Sequence, residues 1–177
     1  DGIKGQRNDF FKIGEAVHYV LEKNANLYAK TGQRYEYKDS IKLFKEKWPE
    51  DSYTPLVTEY YKKFAWLMPL SEKYIEWRFE LDCYGVKLTG VVDIITQDEI
   101  VVDYKTSKKP YSSLDLTDSL QLSLYAGAFQ KEFNRLPKRV GYQVILKDYS
   151  GIQEIYDKRT NIQIEQAKYK VKKCEEE

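Results

Sequence analysis

Residues 90–105 read GVVDIITQDEIVVDYK, and the rest of the chain is organised around this stretch. Two runs rich in Val and Ile flank the polar trio Gln97, Asp98 and Glu99. Such β-branched residues around a short turn are typical of a β-hairpin. If the turn centres on Asp98, the antiparallel register sets Asp93 directly opposite Asp103. The sequence therefore predicts two carboxylates that meet across a hairpin.

The predicted carboxylate pair has the chemistry of a cation site. Facing residues have Cβ atoms about 4.5–5.5 Å apart, and Lys105 falls on the same face, two residues beyond Asp103. The apolar neighbours on that face are Val91, Ile95 and Val101. Because like charges opposite each other are destabilising, a cation is expected there, and Mg²⁺ or Mn²⁺ suits oxygen ligands with room for water. By spacing alone, both Asp residues fit ordinary solvent-facing strand positions equally well.

Composition predicts one ordinary globular domain. The 177 residues are 42% hydrophobic and 32% charged, and the 29 basic and 28 acidic residues nearly cancel. Overall charge therefore gives no argument for nucleic acid, which would need a local basic strip. Candidates for that strip are Lys105, Lys108 and Lys109 beside the hairpin, and the pair Lys138 and Arg139. No apolar run approaches the roughly 18 residues of a membrane span, so no membrane partner is expected.

The two cysteines, Cys83 and Cys174, are far apart and lack metal-ligand spacing. Free thiols in a reducing compartment, such as the cytoplasm, are expected. The chain starts at Asp1 rather than Met, which fits a processed protein, a trimmed chain or a domain of a longer protein.

Hydrophobic periodicity predicts both helices and strands. The predicted helices cover about 9–28, 39–47, 55–68, 115–133 and 161 onward, and the further strands cover 74–83, 87–93, 140–147 and 152–156. One face of the strand 74–83 is predicted to hold Ile75, Trp77, Phe79 and Leu81. The helix 115–133 is predicted to start at a cap, Asp115 or Thr117. Its predicted core side comprises Leu116, Leu120, Leu124, Ala128 and Phe129.

Four short motifs in a fixed order make this chain resemble a known family. They are Gly14-x-x-x-His18, Gly90-x-x-Asp93, Asp103-Tyr104-Lys105-Thr106 and Gln121-x-x-x-Tyr125. Together they resemble the PD-(D/E)XK nuclease superfamily, in its RecB-like branch. The resemblance implies an α/β fold with a restriction-endonuclease-like core, a central mixed β-sheet flanked by helices. It also implies that the strand after helix 115–133 lies parallel to the second strand of the hairpin.

The same resemblance implies one nuclease domain over residues 1–177. Its helical part covers about 1–70, its catalytic sheet and helix about 71–157, and its C-terminal helix about 158–175. Within it, Mg²⁺ or Mn²⁺ is held by Asp93, Asp103, His18 and the backbone carbonyl of Tyr104, with Lys105 as a further catalytic group beside both Asp residues. An iron–sulfur cluster, which some relatives carry on four cysteines, is not expected. From the residues alone, His18 also fits a core position at the edge of an apolar stripe.

The resemblance places Gln121 and Tyr125 in the active-site cleft, in contact with substrate, although their spacing also fits an ordinary amphipathic edge. An accessory Glu on the preceding strand is Glu76 or Glu80, and both also fit exposed strand positions. The loop after the hairpin supplies groups suited to phosphate oxygens, in a composition that any surface loop can have. These groups are Thr106, Ser107, Lys108 and Lys109.

The function predicted from these features is metal-dependent hydrolysis of DNA phosphodiester bonds. The resemblance favours an exonuclease acting on ends or single strands in recombination, repair or the processing of phage or mobile-element DNA, with a helicase or recombinase as partner. A second hypothesis is a catalytically weak nuclease-fold domain that binds DNA or serves as a scaffold in a larger helicase–nuclease complex. A third is an acidic metal-binding hairpin with no nucleic-acid role.

Overall fold

The computed structural model describes residues 3–47, 67–147 and 151–177, with side chains from residue 14 onward. The helix predicted over 55–68 lies outside the described residues, except for its last two positions, which are not helical. Within the described ranges, no helix is both long enough and apolar enough to cross a membrane.

Helices and strands follow one another in the predicted order, with one helix divided in two. The helices are α1 Ile3–Thr31, α2 Tyr37–Lys47, α3 Ser113–Thr117, α4 Leu120–Phe133 and α5 Asn161–Glu176. The strands are β1 Ile75–Cys83, β2 Val86–Ile95, β3 Ile100–Ser107, β4 Arg139–Leu146 and β5 Ile152–Asp157. A short 3₁₀ turn, Glu72–Tyr74, precedes β1. Helix α1 is longer at both ends than its apolar stripe predicted.

The five strands form one mixed sheet in the order β1-β2-β3-β4-β5. Strand β3 lies parallel to β4, and the other neighbouring pairs are antiparallel. Ile94 pairs with Val102 and Ile95 with Val101, which confirms the predicted hairpin register. Helices cover both faces, with α1 and α2 on one and α3, α4 and α5 on the other. The α/β architecture and the parallel β3–β4 pair are therefore confirmed.

Ile75, the first residue of β1, does not share a face with Trp77, Phe79 and Leu81 as predicted. Ile75 packs in the core cluster under α1, whereas Trp77 packs in the cluster under α4. Strand β2 shows the same change opposite these residues. Val92 packs on the α4 side of the sheet, whereas Ile94, two residues later, packs on the α1 side. The cause is Glu76, whose φ of 49° interrupts the two-residue alternation.

The same change of face corrects the predicted lining of the hairpin. Val92, not Val91, belongs to the apolar cluster that contains Ile95 and Val101. Val91 is only partly buried. The carbonyl oxygen of Val91 instead accepts a hydrogen bond from the side chain of Tyr125.

The predicted helix 115–133 is two helices with separate caps. Ser112 caps α3 in a reciprocal capping box with Asp115, and Ser119 caps α4 by accepting from the N–H of Leu122. Asp115 and Thr117 are therefore not the caps. The break also turns Leu120 outward, to 38% exposure, so its predicted core position is wrong.

Gly90 allows the ring of Phe79 to lie across β2. A Cβ at position 90 would come within 2.5 Å of that ring. The ring is buried and packs edge-on against Tyr125, with ring centroids 5.7 Å apart. Gly90→Ala is expected to lower the free energy of unfolding by about 1–3 kcal/mol through overpacking, measured by thermal or denaturant unfolding.

Gly14→Ala is the matched control for the Gly90 substitution. A Cβ at position 14 meets only Thr106 Oγ1, at an ordinary 3.5 Å, and alanine is favoured over glycine within a helix. We expect Gly14→Ala to be neutral or slightly stabilising. Equal stability of the two variants would contradict the proposed role of the Phe79 ring.

Candidate active site

The site is centred on the point where β2 and β3 separate, which we call the strand fork. The paired residues of these strands are Ile94–Val102 and Ile95–Val101. Beyond them β2 continues along β1, and β3 along β4. At the fork, Asp93 Oδ2 accepts a 2.6 Å hydrogen bond from the N–H of Tyr104. The carboxylate thus satisfies a backbone donor that the diverging strand leaves, and Asp93 is only 8% exposed.

His18 reaches the strand fork from α1. Its Nδ1 lies 3.5 Å from Asp93 Oδ1, and its Nε2 lies 2.9 Å from the carbonyl oxygen of Tyr104. Since a carbonyl only accepts, Nε2 donates in that hydrogen bond. Burial lowers the pKa of His18, but the contact with Asp93, with smaller effects from Asp103 and the carbonyl, outweighs burial and raises it. Three of the four predicted ligand groups therefore meet here.

Glu76 completes an acidic cluster at the strand fork. Ligand atoms of His18, Glu76 and Asp93 lie within 4.8 Å of one another. Burial, with the charge of Asp93 next, raises the pKa of Glu76 to about 7. The alternative Glu80 is exposed, and its carboxylate lies 3.2 Å from Lys87 Nζ. Of the two candidate accessory residues, the structure thus brings Glu76 to the site.

Glu76→Gln is expected to stabilise the protein at alkaline pH when chelator keeps divalent ions away. Because the pKa of Glu76 is about 7 in the folded protein but near its ordinary value when unfolded, its ionisation opposes folding as pH rises. The increase in the free energy of unfolding over the wild type should be absent below about pH 4.5 and complete above about pH 7. Thermal unfolding across this range measures it. Glu80→Gln, at an exposed site, serves as control, and identical pH profiles for the two variants would contradict the prediction.

Asp103 lies in a second group of side chains, between β3 and α4. Its Oδ2 is buried and forms an ion pair with Lys105 Nζ at 2.5 Å. Its Oδ1 accepts from Gln121 Nε2 at 3.2 Å and lies 3.3 Å from the Tyr125 hydroxyl. Burial, followed by the charge of Asp93, raises the pKa of Asp103 against the opposing effect of Lys105. The charge of Asp93 therefore affects the pKa of Asp103, although the two carboxylates contact different side chains.

Gln121 and Tyr125 hold this second group together. Gln121 Oε1 accepts from Lys105 Nζ at 3.1 Å, so one amide connects both members of the ion pair. The Tyr125 hydroxyl accepts from Gln121 Nε2 at 2.8 Å and donates to the carbonyl of Val91 at 2.7 Å. Tyr125 is buried, and its contacts join α4 to β2. The sequence did not reveal this supporting position, because it depends on how α4 packs on the sheet.

A sequence-family model described as the PD-(D/E)XK nuclease superfamily matches residues 3–176. The chain belongs to the PD-(D/E)XK nuclease superfamily. No curated protein gives a significant match to it. Nucleases of this superfamily use divalent metal ions, and the cluster at the strand fork offers suitable carboxylate and imidazole ligands.

The predicted phosphate-binding residues lie partly at the end of β3 and partly in the loop that follows it, beyond the nuclease motif Asp103-Tyr104-Lys105. Thr106 faces α1, where its hydroxyl lies near Gly14. The Ser107 hydroxyl accepts from the N–H of Lys109 at 3.2 Å, and both Lys108 and Lys109 are exposed. The loop lysines thus lie at the carboxyl end of β3, the end that carries Lys105.

The second predicted part of the basic strip, Lys138 and Arg139, lies at the other end of the sheet. Arg139 pairs with Ile100 at the start of β3, whereas Ser107 pairs with Leu146 at its end. Seven residues of strand separate these positions, roughly 23 Å. Lys138 and Arg139 therefore do not form one strip with the loop lysines. Lys147, which the sequence analysis passed over, does lie there, because its N–H donates to the Ser107 carbonyl at 2.8 Å.

Arg159 is a buried residue that the sequence analysis also missed. Its guanidinium donates to Ser123 Oγ at 3.0 Å, to Asp157 Oδ2 at 3.1 Å and to the carbonyl of Leu116. These bonds tie the end of α3, the first turns of α4 and the end of β5 together. They support the position from which α4 presents Gln121. A lone Arg after a strand gave no sequence signal for this role.

Proposed function

We propose that this protein is a metal-dependent DNA nuclease that hydrolyses phosphodiester bonds, acting as an exonuclease on DNA ends or single strands. The observation that carries the proposal is that two groups of side chains lie beside each other at the strand fork, near enough for the charge of Asp93 to raise the pKa of Asp103. One is Asp93 with His18 and the Tyr104 carbonyl, and the other is the Asp103–Lys105 ion pair. Superfamily membership supports nuclease activity and a DNA substrate.

The residues at the strand fork fit a divalent ion. Asp93, Asp103, His18 and the carbonyl of Tyr104 would hold Mg²⁺ or Mn²⁺, with Glu76 as an accessory group. Ligand atoms of His18, Glu76 and Asp93, which lie within 4.8 Å of one another, support this assignment. When bound, such an ion polarises a phosphoryl oxygen and lowers the pKa of the attacking water.

Lys105 supplies the positive charge that the reaction requires from the chain itself. Its ammonium group orients the attacking water, and its positive charge favours loss of a proton from that water and stabilises the charge that develops on the phosphoryl oxygens. Gln121 fixes the positions of Lys105 and Asp103 relative to each other by forming a hydrogen bond with each. His18 and the N–H of Tyr104 hold the Asp93 carboxylate in place.

The substrate-binding residues that we propose surround this catalytic group. Gln121 and Tyr125 position the scissile strand, chiefly through the network that they form with Asp103. Phosphates on either side are bound by Ser107 at the end of β3 and by Lys108 and Lys109 in the loop that follows, whereas Thr106 lies on the other face of β3, toward α1.

The biological setting that we propose follows the RecB-like resemblance. The protein would act in recombination, repair or the processing of phage or mobile-element DNA, beside a helicase or recombinase. Cys83 is buried and Cys174 exposed, both as free thiols. We therefore propose a reducing compartment and no iron–sulfur cluster.

Incubation of the protein with labelled DNA tests the function. Linear single- and double-stranded DNA carrying 5′ or 3′ end labels, with circular DNA of both kinds, would be incubated with Mg²⁺, Mn²⁺ or EDTA. Metal-dependent loss of linear DNA only is the result expected of an exonuclease, and the labelled end gives polarity. Cleavage of circular DNA, which has no ends, would show that the protein is an endonuclease and not an exonuclease. Tight DNA binding without cleavage would support a DNA-binding or scaffolding module, and neither binding nor cleavage would support a metal-binding hairpin without a nucleic-acid role.

A further inference from the structure

The loop between β3 and α3 is fastened to β5 by one side chain. Gln153 Oε1 accepts from the N–H of Tyr111 at 2.7 Å, and Gln153 Nε2 donates to the carbonyl of Tyr111 at 2.8 Å. A single amide thus satisfies both backbone groups of a loop residue, as a neighbouring strand would. We call this pair of bonds the Gln153 clamp. Strand β5 is an edge strand of the sheet, so the loop is tied to a regular, paired element.

The clamped residue also connects to the catalytic group. The ring of Tyr111 packs edge-on against Tyr142, with ring centroids 5.1 Å apart. The Tyr142 hydroxyl lies 2.6 Å from Ser119 Oγ, the cap of α4, and Lys105 Nζ lies 5.6 Å from the centre of the Tyr142 ring. The loop, the start of α4 and the side chain of Lys105 therefore pack around one aromatic pair.

We propose that Gln153 is a positioning residue that fixes the loop 108–112 as the phosphate-binding wall of the active site. The inference rests on the proposed nuclease function. Ser107, Lys108 and Lys109 precede Tyr111 by at most four residues, so a fixed Tyr111 limits where their groups can reach. Releasing the clamp leaves Asp93, Asp103 and Lys105 in place and removes the preorganised grip on the DNA backbone.

Kinetics of a Gln153→Met variant test this role. Methionine keeps the length and packing of glutamine but makes neither hydrogen bond. We expect KM for a labelled single-stranded oligonucleotide in Mg²⁺ to rise about five- to thirtyfold, with kcat changed less than threefold. Hydrogen exchange at the amide of Tyr111 should become faster in the same variant, whether or not DNA is present.

Gln130→Met is the matched control, because Gln130 also makes a side-chain bond, at 2.8 Å to Asn161, but joins α4 to α5 away from the loop. It should leave KM and the exchange of the Tyr111 amide unchanged. Thermal unfolding of both variants separates local release of the loop from loss of the fold. If Gln153→Met melts early, Gln153→Glu, which keeps the acceptor for the Tyr111 N–H but loses the donor to its carbonyl, should show a smaller rise in KM without the packing change.

Two results would overturn the inference, and they differ in what they say of the nuclease. If the wild-type protein cleaves DNA but Gln153→Met has the same KM, or lowers kcat and KM together, the positioning role fails and the nuclease function stands. If the wild-type protein neither cleaves nor binds DNA, the proposed function fails, and the positioning role fails with it. In that case, faster exchange at Tyr111 in the variant would show only that the clamp holds the loop.

Discussion

Asp103→Ala is expected to reduce the rate of DNA hydrolysis about 10³-fold or more, in Mg²⁺ and in Mn²⁺. The substitution removes a proposed metal ligand and the partner of Lys105, and metal-ion catalysis contributes several kcal/mol of transition-state stabilisation. Initial rates on end-labelled DNA measure the effect. Asp103→Asn keeps the shape but not the charge, and should be similarly inactive.

The fold should survive the loss of Asp103. Burial and the neighbouring charge of Asp93 raise the pKa of this carboxyl, so its ionisation opposes folding, and the substitution removes that cost. Unfolding transitions close to that of the wild type would establish this. The control is Asp98→Ala in the turn of the same hairpin, an exposed carboxylate that should leave the rate unchanged. A folded Asp103→Ala protein with more than a tenth of the wild-type rate would remove Asp103 from the proposed metal site.

The hairpin register could be predicted because it depends on local pattern alone. Two β-branched runs around one short turn leave few registers, and a slip by one residue would exchange the side chains packed under α1 with those packed under α4. The observed pairs Ile94–Val102 and Ile95–Val101 follow that pattern. The motif resemblance added what periodicity lacks, namely the parallel placement of β4 beside β3.

The kink at Glu76 could not be predicted from its sequence. Positive φ is usually signalled by Gly or Asn, and glutamate within an alternating strand gives no such signal. The distortion nevertheless decides the site, because it moves Ile75 and Ile94 to the other face and brings Glu76 to His18 and Asp93. Its cost in backbone strain is typical of residues at functional sites.

The sequence does carry local capping signals for the division between α3 and α4, but the continuous apolar pattern over 115–133 favoured a single helix. Ser112 followed by Asp115 has the form of a capping box, and Ser119 is a second cap seven residues later. The reason for the break is not local, however. Tyr142 from β4 bonds to Ser119, and Arg159 bonds to the last turn of α3, and both come from later in the chain.

The supporting network around Asp103 depends on the same long-range packing. The motif places Gln121 and Tyr125 one turn apart on a helix, but it does not say what they contact. Only the position of α4 on the sheet puts Gln121 between Lys105 and Asp103. The sequence therefore predicted which of these residues lie near one another more completely than it predicted the hydrogen bonds between them.

Lys105→Ala is expected to reduce kcat at least about 10²-fold, with a smaller effect on DNA binding. Lys105 Nζ lies beside Asp103 and is held by Gln121, so its ammonium charge is placed before substrate arrives. Such a preorganised charge stabilises charge that develops in the transition state more than it stabilises the bound ground state. Steady-state kinetics in Mg²⁺, with DNA binding measured by fluorescence anisotropy in EDTA, separate the two effects.

Lys108→Ala is the comparison for Lys105→Ala, since Lys108 is an exposed lysine three residues further along the same strand and loop. We expect it to raise KM and weaken the salt dependence of binding, with kcat nearly unchanged, because a phosphate contact holds the substrate without acting on the reacting bond. Lys105→Arg should not restore full activity, because a planar guanidinium cannot take the place of a compact ammonium between Asp103 and Gln121. If Lys105→Ala instead raised KM at constant kcat, as expected for Lys108→Ala, Lys105 would be a binding residue, and the charge that stabilises the transition state would have to come from another group.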